Sequence, residues 1–164
     1  DLVVVTRLDE MEEVALTNTD FSAIVRDAAE SFRSVAESSG KTFETRVPPD
    51  IYVLGEKRTL QHITSILIDN AVKYCDEKGI ISIALTRRTK NKGAVLSVSN
   101  TYEDGKNADL SRFFERFYRN DESHHSEKSG FGIGLSMAKE MMERMNGKIK
   151  VNQSGNTIQF TAEI

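Results

Sequence analysis

Asp69-Asn70-Ala71-Val72-Lys73-Tyr74 closes a long amphipathic segment that begins near Glu56. Leu60, Ile63, Leu67 and Ala71 recur at helical spacing, which predicts a helix from about Glu56 to Tyr74 with that stripe buried. The same spacing places Asn70 beside Lys73 and Tyr74 on one face. An amide oxygen is a hard ligand suited to Mg²⁺, an ammonium one turn along neutralises phosphate charge, and an aromatic ring covers a base or a ribose. An ordinary polar helix edge carries the same residue types, so this segment alone leaves both readings open.

Upstream, Asp20 caps a second predicted helix whose inner face is Ile24, Val25, Ala28, Phe32, Val35 and Ala36, and Gly40 ends it. Phe43 to Val47 reads as a strand closed by Pro48-Pro49, and Tyr52-Val53-Leu54 as a short extended piece. The opening stretch, Leu2 to Met11, fits a helical stripe or a Val-rich strand equally well. Downstream, Ile81, Ile83 and Leu85 alternate in one strand, and Leu96 and Val98 in the next. The basic stretch Arg87 to Gly93 is the hairpin loop between them. Asn100 to Gly130 is polar and irregular around one aromatic cluster, and a loop of that length inside a domain is often functional. Gly132 opens a helix with Leu135, Ala138, Met142 and Met145 on one face, stopped by Asn146-Gly147. A last hairpin turns at Ser154-Gly155-Asn156. The sum is an α+β sandwich: one mixed, mostly antiparallel sheet with helices on one face.

The chain has 164 residues, 38% hydrophobic and 29% charged, which suits one globular domain. A formal net charge of −3 with mixed signs gives no footprint for nucleic acid. Cys75 is the only cysteine, which excludes an intrachain disulfide and a multi-cysteine zinc site. No apolar run reaches the roughly 20 residues of a membrane span. The start at Asp1, without an initiator Met, reads as a piece of a longer protein.

Three further stretches carry chemistry. Gly130-Phe131-Gly132-Ile133-Gly134-Leu135-Ser136 runs into a helix, so its backbone can approach phosphates closely while the helix N-terminus offers unpaired N–H groups. Its spacing is neither the dinucleotide fingerprint nor a P-loop; a plain hinge before a helix is the alternative. Phe113-Phe114-Glu115-Arg116-Phe117-Tyr118-Arg119 either anchors a lid and points an arginine at phosphates or is a short packing helix. In Val98-Ser99-Asn100-Thr101, a side-chain acceptor at a strand end is suited to an adenine amino group.

In this order and spacing, the four stretches resemble the catalytic, ATP-binding domain of sensor histidine kinases. Asp69 to Tyr74, Phe114 to Arg119 and Gly132 to Ser136 look like that family's N, F and G2 boxes, and the likeness runs from about Asp20 to Ile164. The resemblance implies a Bergerat-type two-layer sandwich over residues 15–164, with a lid at about 101–130. Residues 1–14 look like the end of a dimerisation and phosphoacceptor helix. It implies ATP and Mg²⁺ as ligands: Asn70 would coordinate the metal, Lys73 would contact phosphate and Tyr74 would pack near the adenosine. Asn100, Tyr118, Arg119, Gly130, Gly132, Gly134 and Leu135 would complete the nucleotide site, with Asn70, Lys73 and Arg119 in catalytic roles. The family reaction moves the ATP γ-phosphoryl to a histidine, here expected upstream of Asp1, and on to a response regulator. The resemblance also implies a homodimeric parent protein in the bacterial membrane, with this domain in the cytoplasm.

Two departures stand out. Ile66 occupies a position where the family often has Asn and hydrolysing relatives have a general-base Glu, and it can neither bind metal nor activate water. Asn100-Thr101-Tyr102-Glu103-Asp104-Gly105 replaces an Asp and two glycines of the G1 box. Both favour a rival reading, a degenerate nucleotide-binding or scaffold domain. A serine kinase of the anti-sigma-factor type shares the fold, but the helix remnant before Asp20 opposes it. His124-His125 is poorly placed to chelate one ion, and His62 lacks the motif of a phosphoacceptor.

Overall fold

The computed structural model describes residues 15–88, 93–118 and 132–164. The elements run β1 (Thr17–Asp20), α1 (Phe21–Ser38), β2 (Thr42–Arg46), β3 (Tyr52–Gly55), α2 (Lys57–Tyr74), β4 (Ile80–Arg87) and β5 (Ala94–Thr101). Two 3₁₀ turns follow (Glu103–Asn107 and Leu110–Arg112), then α3 (Gly134–Arg144), β6 (Lys148–Ser154) and β7 (Thr157–Glu163). The opening segment, the tip of the basic hairpin and His124-His125 lie outside the described residues.

Five strands form one sheet in the order β2-β4-β5-β7-β6, parallel between β2 and β4 and antiparallel elsewhere. Alternation sends Phe43, Ile81, Ile83, Leu85, Leu96, Val98, Ile158, Phe160 and Ala162 to one buried face. The helices cover that face, with α2 between α1 and α3 and against β4 and β5. This is the expected α+β sandwich. A second, two-stranded sheet pairs β1 with β3, Thr17 opposite Gly55 and Asp20 opposite Tyr52.

Asp20 caps α1 as expected, its Oδ1 accepting the Ala23 N–H at 3.0 Å. At the other end Gly40 takes φ 74°, and the Gly40 and Lys41 N–H groups bond Glu37 O and Ala36 O. That left-handed closure is available to glycine at little cost. Two inner-face assignments shift: Val35 points to solvent, and Ala29 rather than Ala28 is fully buried. The third helix begins at Gly134, two residues after the expected start, because Gly132 at φ 68° is outside helical geometry.

Glu56 caps α2 with a carboxylate that accepts Arg58 N at 3.1 Å and Thr59 N at 2.6 Å. The Thr59 hydroxyl hydrogen bond, helped by these amides and the Arg58 charge, holds the Glu56 carboxyl below its ordinary value. A depressed folded-state pKa stabilises above the unfolded value and is lost as pH falls through the folded one. Urea midpoints of the wild type and Glu56→Gln should therefore differ most near neutrality and converge below about pH 4. A gap that widens on acidification would contradict the cap.

Candidate functional site

Along α2, Leu60, Ile63, Leu67 and Ala71 are buried, as the spacing predicts. The adjoining edge, Ile66, Asp69, Asn70, Lys73 and Tyr74, is half-buried throughout. Helical geometry thus does bring the three predicted residues onto one stripe. Lys73 Nζ lies 2.6 Å from Asp69 Oδ2. Ile66 faces the start of α3: a Cβ built on Gly134 would sit 3.4 Å from Ile66 Cγ2.

The end of β5 supplies the second wall. Its inward row runs Ala94, Leu96, Val98, Asn100, and Tyr102 beyond the strand is buried too. Asn100 stands between Ile81 and Ile158 in the sheet register, a polar side chain 1% exposed in an apolar row. Its Nδ2 donates to Thr101 O at 3.1 Å. That carbonyl also accepts the Asp76 N–H at 3.0 Å, which ties the exit of α2 to β5. With Nδ2 held there, a flipped amide would set Oδ1 against a carbonyl oxygen. Asn100 Oδ1 is buried and has no hydrogen-bond partner among the described residues. Leaving such an acceptor unsatisfied costs roughly 1–3 kcal/mol, and packing alone gives no reason to keep it.

Tyr102 joins the two walls. Its ring meets Tyr74 edge-on at 6.1 Å. The segment after it is pinned by Tyr102 N to Asn156 O at 2.7 Å and Glu103 N to Asp76 Oδ2 at 2.9 Å. Gly105 packs on the Tyr102 ring so closely that a Cβ would come within 2.5 Å of it.

The aromatic cluster packs onto the sheet face. Phe113 and Phe114 lie 6.1 and 6.2 Å from Phe160. Tyr118 meets Phe113 at 5.8 Å, and the Arg112 guanidinium lies 4.5 Å from the Tyr118 ring centre. Hydrogen bonding to Glu115 keeps that guanidinium firmly charged. Residues 113–118 form turns rather than a short helix, and Phe113, Phe114 and Tyr118 use their rings for packing. Arg116 pairs with Glu140 on α3. Gly132 closes the corner: its carbonyl accepts the Phe117 N–H at 2.8 Å, and a Cβ there would meet Phe117 backbone atoms at 3.0 Å. Glycine is required at 132 by conformation and space together. At Gly134 the protein leaves room for a methyl group, and among the described residues no side chain caps α3. Leu135 is half-buried against the core. Arg119 and Gly130 lie outside the described residues.

Residues 55–164 match the family of histidine kinase-, DNA gyrase B- and HSP90-like ATPases. The chain belongs to that family. The sensor protein DltS of Streptococcus agalactiae is 27% identical over 165 residues, which span 100% of this chain and 41% of DltS. The sensor-like histidine kinase SenX3 of Mycobacterium tuberculosis is 28% identical over 163 residues, 98% of this chain and 39% of SenX3. The chain thus spans about two-fifths of the length of these curated relatives. The nucleotide-free catalytic domain of the histidine kinase ThkA superposes with a TM-score of 0.76 at 20% identity, covering 91% of this chain and 94% of that one. Full-length ShkA in complex with AMPPNP gives 0.75 at 24% identity, covering 92% of this chain and 31% of that one. These likenesses show the shared fold.

Membership in an ATPase family brings nucleotide binding with it, and the residues present fit such a ligand. Asn100 Oδ1 offers a buried acceptor to an amino group, the uncapped start of α3 offers N–H groups to phosphate, and the Asn70 amide offers a hard oxygen. Sequence reading missed Tyr102 and Asp69. Extending the period-two burial of β5 by one step would have found Tyr102.

Proposed function

We propose that this chain is the ATP-binding catalytic part of a two-component sensor histidine kinase. It would move the γ-phosphoryl of ATP onto an imidazole of an upstream dimerisation domain, ADP leaving as the new P–N bond forms. A response regulator would then take the group onto an aspartate. The observation that carries the reading is Asn100 Oδ1, a buried acceptor without a partner beside the Tyr74–Tyr102 pair.

Within this reading Asn70 holds Mg²⁺, which when bound offsets the phosphate charge. Lys73 and Arg119 contact phosphate, Tyr74 and Tyr118 flank the nucleotide, and Asn100 accepts from the adenine amino group. Gly130, Gly132, Gly134 and Leu135 shape the phosphate cradle, with a lid over about 101–130. Positioning and charge stabilisation are the protein's main contributions to phosphoryl transfer, and this residue set supplies both. The expected tail of the upstream helix, residues 1–14, lies outside the described residues. Within the same reading the whole protein is a membrane-anchored homodimer with this domain on the cytoplasmic side. Among the described residues no helix is long and apolar enough to cross a membrane.

Ile66 against Gly134 favours a second reading, in which the domain binds nucleotide as a scaffold and transfers nothing. Thermal unfolding with a non-hydrolysable ATP analogue, with and without Mg²⁺, tests the nucleotide site. Ligand at about one hundred times its Kd adds roughly 2.7 kcal/mol, on the order of 5–10 °C here. Asn70→Ala is expected to abolish the Mg²⁺-dependent part of that rise. No rise at millimolar analogue would sink the kinase reading for this chain. Phosphotransfer to a separately supplied dimerisation domain distinguishes kinase from scaffold.

A further inference from the structure

The site-facing edge of α2 carries a carboxylate that an anionic ligand does not call for. Asp69 stands on the half-buried stripe with Ile66, Asn70, Lys73 and Tyr74, not among the exposed Lys57, Arg58, Gln61 and His62 at the start of the helix. Its Oδ2 lies 2.6 Å from Lys73 Nζ. The ammonium assigned to the phosphates is therefore already paired, and phosphate oxygens must compete with Asp69 for it. The same carboxylate adjoins Asn70, the amide assigned to the metal. A negative charge there acts with opposite sign on two forms of one ligand: it repels a bare polyphosphate and attracts the cation of a metal-charged one.

From this geometry we infer that Asp69 is a positioning residue that makes the site selective for the metal-charged nucleotide, withholding Lys73 from bare polyphosphate. The inference rests on the nucleotide-binding reading above. It gives an i,i+4 pair, which elsewhere only supports a helix, a part in ligand selection.

The test is calorimetric titration of this chain with the non-hydrolysable ATP analogue, once in excess Mg²⁺ and once in chelator. Asp69→Asn keeps the side-chain shape and removes the charge; Asp69→Ser is the second variant should the first fold poorly. Removing the charge is expected to tighten metal-free binding about fivefold, the scale of one unit-charge contact in water. The ratio of affinities with and without Mg²⁺ should fall by at least that factor. In a Lys73→Met background the gain in metal-free binding should shrink, because the ammonium that Asp69 withholds is gone. An equal change in both conditions, or none, overturns the inference and leaves Asp69 as a helix-supporting partner. Weaker metal-free binding in Asp69→Asn overturns it as well. If the unsubstituted chain binds in neither condition, the nucleotide reading itself falls and takes the inference with it. The two failures are thus told apart by the wild-type titration alone.

Discussion

Phe160→Ala should lower the unfolding midpoint of this domain by on the order of 10 °C. Phe160 is fully buried at the centre of the inner sheet face, between Val98 and Val151 in the register. Emptying such a site removes the transfer free energy of a large ring and leaves a cavity, together about 3–5 kcal/mol for Phe→Ala. Each kcal/mol moves the midpoint of a domain this size by roughly 2–4 °C. The loss also reaches the functional segment. Phe113 and Phe114 rest on Phe160, Tyr118 meets Phe113 and Arg112 lies over Tyr118, so the ring carries the segment whose Phe117 N–H bonds Gly132 O. The sequence has no tryptophan and four tyrosines, so replacing Tyr52, Tyr74 and Tyr102 by Phe leaves an emission that reports on Tyr118 alone. In Phe160→Ala that emission should change at temperatures where far-ultraviolet circular dichroism is still native. A midpoint within about 3 °C of wild type would show that the cluster carries little of the stability assigned to it. Phe160→Leu, which refills most of the volume, should recover the larger part of the loss.

Asn100→Leu should move stability and ligand binding in opposite directions. Leucine matches the apolar row of Ile81 and Ile158 and removes the unsatisfied Oδ1, whose desolvation costs roughly 1–3 kcal/mol. The variant loses the bond to Thr101 O, but that carbonyl keeps the Asp76 N–H, so no new orphan is made. The unliganded midpoint is expected to rise by a few degrees. Affinity for an adenine nucleotide should fall roughly tenfold to a hundredfold, the scale of one lost hydrogen bond in a buried site. A residue that lowers stability while serving the ligand is the usual sign of a binding group. Should the midpoint fall while nucleotide affinity holds, Asn100 is a structural amide and the base is read elsewhere. Asn100→Asp is the informative companion: a carboxylate cannot donate to Thr101 O, so the acid should destabilise the unliganded fold.

The helices and the main strands were legible because their signals are local. Leu60, Ile63, Leu67 and Ala71 declare α2 by spacing alone, Asp20 and Gly40 frame α1 with cap chemistry, and alternation marks β4, β5 and the last hairpin. The Asn70, Lys73, Tyr74 stripe was readable for the same reason. What side chains meet across the chain was not. Thr17-Asn18-Thr19-Asp20 has no apolar alternation and is a strand only because β3 pairs with it. The parallel neighbour of β2 is β4, after an intervening strand and helix that local patterning cannot place. Val35 lies at helical spacing from the apolar face of α1 and still points to solvent, although its neighbour Ala36 is fully buried. The sequence by itself determined the helices, the main strands and their order, the family likeness and the types of residue at the site. Tertiary structure alone decided that Asn100 keeps an acceptor free in an apolar row and that Gly132 is crowded by Phe117. The physical reason is that burial and steric crowding arise between groups in space. Local periodicity records only which face each residue turns toward them.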